Sequence, residues 1–170
     1  YQLGDEKPYI YRTNNYGQSW TLLSGANSGI PADFPTRVVR EDPQREGLLY
    51  AGTEYGMFIS FNDGKSWQAF QQNLPVTPIT DIKCHQGDLV LSTMGRGFWI
   101  MDDLYPLHDL DFQAEAKQAY LFQPQSTIRY RKPMVRGGES ELQFPEPGLT
   151  IDYFVPEGNT EAVVLRILKE

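Results

Sequence analysis

The chain has 170 residues, 40% hydrophobic and 22% charged, a globular composition with no apolar run long enough to span a membrane as a helix. Fifteen basic against 22 acidic side chains leave a net charge of −7. A field of that sign repels phosphate backbones and anionic lipid, so nucleic acid and membrane are not expected partners. The single cysteine, Cys84, excludes an intrachain disulfide and a cysteine-built metal site.

Taken in chain order, the first hundred residues are organised by a repeat. Residues 9–23 read YIYRTNNYGQSWTLL and residues 56–70 read GMFISFNDGKSWQAF, an ungapped match at an offset of 47. It pairs Thr13 with Ser60, Asn15 with Asn62, Gly17 with Gly64, Ser19 with Ser66 and Trp20 with Trp67. Between the two boxes and around the second, residues 36–41, 48–53, 57–61 and 66–70 are expected to be four short antiparallel strands. Their loops are 42–47, Glu54-Tyr55-Gly56 and Asn62-Asp63-Gly64-Lys65. Stretches such as Leu48-Leu49-Tyr50-Ala51 are apolar on both faces, as strands sandwiched between two neighbouring sheets require.

A third, weaker copy follows. Residues 50–59 match 91–100 at an offset of 41, and 36–39 match 80–83 at an offset of 44. The change between them is a three-residue shortening of the loop at 42–47. This copy lacks the Ser/Gly/Trp box and has Asp102-Asp103-Leu104-Tyr105-Pro106 instead. A period of about 40–50 residues with strand content is the signature of propeller blades. Residues 109–118 read as a connector, with 114–119 the one short helical candidate. Strands are then expected at 119–122, 127–131, 141–144, 150–155 and 162–168, the last two as an antiparallel pair of a β-sandwich. The fold expectation is therefore all-β. The last two to three four-stranded blades of a propeller (1–108) lead through the connector (109–118) into an incomplete β-sandwich (119–170). The chain opens at Tyr1 with no signal peptide, and 163–170 reads as a strand with no turn after it, so both ends are expected to be cuts in something longer.

The box Ser/Thr-x-Asn-x-Gly-x-Ser-Trp has a folding task at every position. Asn15 and Asn62 can accept backbone N–H groups in an Asx turn, Gly17 and Gly64 can take positive φ, and Thr13 and Ser60 can tie the loop ends. Trp20 and Trp67 are each expected to drop an indole between sheets. These boxes resemble the Asp-box, or BNR, repeat of sialidase-like and sortilin-like β-propellers. Residues 37–43, 49–56 and 95–103 are similar to the closing blades of a large bacterial group of sortilin-like propellers, usually named glycosyl hydrolases. In that group a segment similar to Tyr120-Leu121-Phe122-Gln123-Pro124 precedes a β-sandwich. This chain has Asn15 and Asn62 where Asp is the namesake, and Met94 where the group often has His.

The resemblance implies a secreted or periplasmic protein that hydrolyses or binds carbohydrate, with this portion mainly scaffold. The alternative is a sortilin-like module that binds a peptide or protein without catalysis. Three blades cannot close a ring, so the missing blades or a second copy are expected partners. The loops joining the second and third strands would face the ligand. That makes Glu54, Tyr55 and Arg96 the binding candidates, with Glu54 and Arg96 either pairing across two sheets or converging on a polar ligand. Tyr55 and Trp99 could stack on a sugar, although core packing explains Trp99 as well. Glu54 is the one candidate for a catalytic acid, and no second member of a carboxylate pair stands beside it in sequence. Asp102 and Asp103 point to opposite faces of a strand and read as a turn cap. Cys84 and His85 read as a core thiol and an edge imidazole, and His108 has no partner by sequence. The stripe Arg129-Tyr130-Arg131-Lys132, with Arg136, reads as a charge-guarded sheet edge. Phosphate-loop, His-x-x-x-His and calcium-loop patterns are missing, so neither cofactor nor metal is expected.

Overall fold

The computed structural model describes residues 4–109, 119–127, 148–156, 158 and 162–168. The chain divides into two compact units, Tyr1–His108 and Asp109–Glu170. Described residues are all-β, in several antiparallel sheets of which none closes. No helix among them is long and apolar enough to cross a membrane.

In the first unit, β1 (Tyr11–Arg12) and β2 (Thr21–Leu22) form a hairpin. A four-stranded meander follows: β3 (Thr36–Glu41), β4 (Leu49–Thr53), β5 (Met57–Ser60) and β6 (Gln68–Ala69), paired in that order. Then come three strands, β7 (Ile79–His85), β8 (Asp88–Thr93) and β9 (Phe98–Met101). The helix α1 (Tyr105–Asp109) closes the unit.

The β3–β6 sheet is covered on both faces, which is why β4 and β5 are buried at every position. On one face Leu49, Ala51, Phe58 and Trp67 pack with Ile10 and Ile30, and with Leu23 at the margin. On the other, Gly52 lies against Ile79: a Cβ built on Gly52 would stand 2.7 Å from the Ile79 Cβ and 2.8 Å from Val38 Cγ1. Residue 52 is glycine because two sheets touch there. The same contact aligns the sheets. Ile79 pairs with Thr93, so the β4–β5 loop (54–56) and the β8–β9 loop (94–97) stand at one end of the stack. Both box turns and the loop after β3 lie at the other end.

The third repeat sits one residue away from the register expected from sequence in its first two strands. Thr36 pairs with Thr53 while Ile79 pairs with Thr93, and Ala51 pairs with Phe58 while Leu91 pairs with Trp99. Ile79, not Thr80, is thus the counterpart of Thr36, and Val90, not Leu91, the counterpart of Tyr50. The β8–β9 loop holds one residue more than the β4–β5 loop, and an alignment anchored beyond the loop carries that residue back into β8. A slip of one exchanges the faces of a strand, so the structural register is the one that puts Leu89 and Leu91 inside. The β7–β8 connection is a two-residue turn at Gln86-Gly87, both at positive φ (52° and 90°), as tight hairpins require.

In the second unit, β10 (Tyr120–Leu121) pairs antiparallel with β11 (Tyr153–Phe154). The antiparallel pair expected between 150–155 and 162–168 is not formed: 162–168 carries no strand, and β11 takes β10 as its partner. Val163, Val164 and Leu165 instead line a shared cavity beside that ribbon. The expected helix at 114–119 falls, apart from Ala119, outside the described residues, as do the strand at 127–131 apart from Thr127, the strand at 141–144 and the basic stripe at 129–132 with Arg136. The helix that does form lies earlier, where Asp103 Oδ1 accepts the Tyr105 N–H at 3.1 Å and caps it.

The Gly52–Ile79 contact gives a prediction. Gly52→Ala puts a methyl where backbone-borne atoms already stand. The expected cost is about 1–3 kcal/mol, the usual range for overpacking, read as a lowered urea midpoint with native circular dichroism retained.

Candidate functional site

The two boxes fold alike to within a few tenths of an ångström. Thr13 Oγ1 donates to Asn15 Oδ1 at 3.0 Å and accepts the Gly17 N–H at 2.8 Å; Ser60 Oγ donates to Asn62 Oδ1 at 3.0 Å and accepts the Gly64 N–H at 2.9 Å. Ser19 and Ser66 each donate their N–H to the preceding Asn Oδ1 at 2.9 Å. Their hydroxyls accept from Asn Nδ2 at 2.9 and 2.7 Å. A backbone N–H can only donate, so the amide orientation is fixed in both copies. Tyr16 and Gly17 have φ of 55° and 88°, Asp63 and Gly64 of 62° and 77°. Gly64 is needed twice over, since a Cβ there would also meet Leu23 Cδ1 at 2.7 Å.

The tryptophans differ in what surrounds them. Trp67 is 5% exposed, and its indole N–H donates to Leu23 O at 3.1 Å on the preceding hairpin. Trp20 is 60% exposed. The expectation that both indoles lie between sheets therefore holds for Trp67 alone. The reason is local: β1–β2 covers Trp67, and among the described residues no sheet plays that part for Trp20. Arg12 and Asp63 add an ion pair between the two copies.

At the opposite end, Glu54 and Arg96 do not form the pair that the sequence left open. Glu54 takes Arg37 of β3, with Nε to Oε1 at 2.5 Å, and its side chain is only 13% exposed. Burial pushes the Glu54 carboxyl up. The Arg37 guanidinium works against that, and a contact ion pair requires the carboxylate form. A bulge explains the choice: Arg37 is the extra residue of β3 between the Thr36–Thr53 and Val38–Gly52 pairs, beside the end of β4 that leads into Glu54. Tyr55 is half-exposed, its ring tilted on Phe34 with centroids 4.7 Å apart. Arg96 is exposed and makes no ion pair among the described residues. Its loop is held by Thr93 Oγ1, which accepts the Arg96 N–H at 3.1 Å, and by Trp99, whose indole N–H donates to Arg96 O at 3.0 Å. Trp99 thus braces the loop and lines, with Leu91 and Met57, a cavity beside the β7–β9 sheet.

A buried polar cluster escaped the sequence reading. Asp42 Oδ2 accepts the Tyr50 hydroxyl at 3.0 Å and His108 Nε2 at 2.9 Å. Asp42 Oδ1 accepts the N–H groups of Gln44 at 2.8 Å and Arg45 at 3.1 Å. An ionised carboxylate only accepts, so His108 carries its hydrogen on Nε2. Burial works to raise the Asp42 carboxyl, but those N–H groups and His108 outweigh it and hold the acid below its ordinary range. Burial and the Asp42 charge push the Tyr50 phenol up and Cys84 up to about 11, so the thiol is inert at neutral pH. Each oxygen of Asp42 already has two donors. The cluster ties the 42–48 loop, β4 and α1 together, and leaves no lone pair turned toward a substrate. His85 is exposed at the sheet edge. The described residues contain no group of three side chains able to hold a metal ion.

Comparison with protein-family models gives no match, and comparison with curated proteins gives none either.

Two predictions follow from this geometry. Asn62→Ala deletes both acceptances and the donation, at an expected cost of about 1–2 kcal/mol, whereas Asn62→Asp keeps Oδ1 and lets the Ser66 hydroxyl donate, costing less than about 1 kcal/mol; urea midpoints separate them. The Asp42 pKa is depressed on folding, so its contribution is present above the unfolded value of about 3.9 and lost as pH falls below it. Asp42→Asn is therefore expected to be less stable than the parent by about 1–3 kcal/mol at neutral pH. That gap should close below about pH 4 in denaturation curves taken across the range.

Proposed function

We propose that the chain is a section of an Asp-box β-propeller that handles carbohydrate, with these residues serving as scaffold and as one rim of the site. In this reading β3–β6 is a complete blade. The β1–β2 hairpin is the outer half of the blade before it, β7–β9 is most of the blade after it, and the second unit begins a β-sandwich. The observation that carries the reading is the pair of box turns, matching bond for bond 47 residues apart. Turns that alike, each feeding a hairpin of the same register, are what tandem blades produce.

Carbohydrate is favoured over a fully catalytic role by what stands at the loop end. An exposed tyrosine ring offers a face to a sugar, and an exposed guanidinium offers paired donors to hydroxyls or a uronic carboxylate. Glycoside cleavage needs two carboxylates about 5–10 Å apart. Glu54 is held by Arg37, and the neighbouring loop contributes Arg96 where an acid would be needed. Hydrolysis, where the whole protein performs it, draws its acids from outside these residues.

The test is thermal unfolding in a panel of neutral and acidic oligosaccharides. A sugar at one hundred times its Kd adds about 2.7 kcal/mol of stability, an easily read rise in melting temperature. The expected result is a shift with at least one sugar class that Tyr55→Ala and Arg96→Ala each diminish. No shift with any sugar at millimolar concentration, or a shift that both variants retain in full, overturns the carbohydrate reading.

A further inference from the structure

The surroundings of the Trp67 indole are built a second time, one repeat later. Trp67 packs among Ile10, Leu23, Ile30, Leu49, Ala51 and Phe58, and its indole N–H donates to Leu23 O. The counterparts of those six are Met57, Phe70, Leu74, Leu89, Leu91 and Trp99. They line a cavity of about 260 Å³ between the β3–β6 and β7–β9 sheets.

The correspondence is carried by bonds as well as by shape. Leu23 N–H donates to Ile10 O at 2.8 Å, and Phe70 N–H donates to Met57 O at 2.8 Å. Ile10 N–H donates to Ser24 Oγ at 2.9 Å, and Met57 N–H donates to Gln71 Oε1 at 3.2 Å. Ala51 pairs with Phe58 as Leu91 pairs with Trp99. Ile30 and Leu74 each precede a proline. Phe70 O therefore stands where Leu23 O receives the indole.

The strand that delivers the indole has no counterpart in the third sheet. Trp67 leads into β6, whose Ala69 and Gln68 pair with Phe58 and Ile59. Trp99 and Ile100 hold those two places in β9, and among the described residues β9 pairs with β8 alone. After Met101 the chain leaves that edge. Asp103 has a positive φ of 58°, its N–H donates to Asp88 Oδ1 at 3.0 Å, and Leu104 N–H donates to Gly87 O at 2.7 Å. Those bonds carry the chain back beside the β7–β8 turn and into α1. A strand edge next to an apolar cavity suits an extended peptide: the edge supplies main-chain bonds, and the cavity selects a side chain.

We propose that the β7–β9 sheet binds an extended peptide of the box type, Ser/Thr-x-Asn-x-Gly-x-Ser-Trp with a short strand after it. The peptide pairs antiparallel with β9 and seats its tryptophan in the cavity, where Phe70 O accepts the indole N–H. The ligand is a tryptophan rather than any apolar group, because the corresponding walls in the preceding repeat hold one. The inference rests on that occupied copy and does not depend on what the loop end binds.

Isothermal titration of the full chain with a peptide copying residues 60–70, SFNDGKSWQAF, tests it. Saturable binding with a Kd below about 1 mM is expected, together with slowed amide exchange at Phe98–Met101. The same peptide with alanine for its tryptophan is expected to bind about tenfold more weakly or worse, as truncation of an anchoring aromatic does. Leu91→Trp fills the cavity from one wall and is expected to weaken binding as much. Leu74→Trp, from the wall contributed by the segment after β6, replaces it if circular dichroism shows the first misfolded. No saturable binding, equal binding of the alanine peptide, binding that the filled variant keeps in full, or unchanged exchange in β9 overturns the proposal.

Discussion

A sheet packed on both faces allows no polar side at all, and that constraint shapes the first unit. In the β3–β6 sheet it makes β4 and β5 apolar at successive positions, where a half-covered strand would alternate. It makes residue 52 a glycine, because the Ile79 side chain occupies the space of a Cβ. It also makes the few buried polar groups find partners inside. Tyr50 is fully buried in a two-faced strand, and its hydroxyl reaches Asp42. Asp42 in turn must be saturated, and it draws in the N–H groups of its own loop and His108. The helix α1 is held where it is as a consequence of a tyrosine in a strand covered on both sides.

The box and the tryptophan at its end do separate work. A buried indole removes about 150–250 Å² from water, which at about 25 cal/mol per Å² is at most about 4–6 kcal/mol. Each box hydrogen bond contributes about 0.5–1.5 kcal/mol net. Trp67 thus supplies most of the adhesion between hairpin and sheet, while the bonds fix where its strand begins. The first copy separates the two terms. Its hydrogen bonds match those of the second, yet Trp20 stays exposed. The box therefore forms from local chemistry alone and does not depend on burial of the indole it presents.

That separation explains how much was legible in the sequence. The boxes, their turns and the strands they join were readable because every partner lies within four residues. The β3–β6 strands were readable because turn residues bracket apolar runs. The third copy was misread by one position because its box is gone, leaving nothing local to anchor the register across a longer loop. Glu54 was matched with Arg96 by analogy between loops, whereas the bulge in β3 puts Arg37 nearer. His108 and Asp42 are 66 positions apart, and no spacing rule links them. The usable signal was Tyr50 itself: a phenol in a run apolar on both faces needs an acceptor, and Asp42, just past the end of the adjacent strand, is the acid that alternation puts on the face Tyr50 shares with its partner Arg40.

The two ends of the stack differ in what their polar groups are free to do. At the box end, Asn15, Asn62 and Asp42 each spend their oxygens on neighbours, so the polarity there is structural however dense it looks. At the loop end, the backbone is secured by Thr53 and Thr93 hydroxyls that both donate to glycine carbonyls, Gly56 O and Gly97 O, at 2.9 and 2.8 Å. That arrangement satisfies the turns from within; the Arg96 side chain is left exposed with no ion pair among the described residues, and the Tyr55 ring rests on Phe34 with about half its surface open. Recognition needs groups whose hydrogen-bonding capacity is not already used, held on a rigid base. Among the described residues the loop end alone combines them, and that is the ground on which the proposed binding rim is put there and not at the box turns.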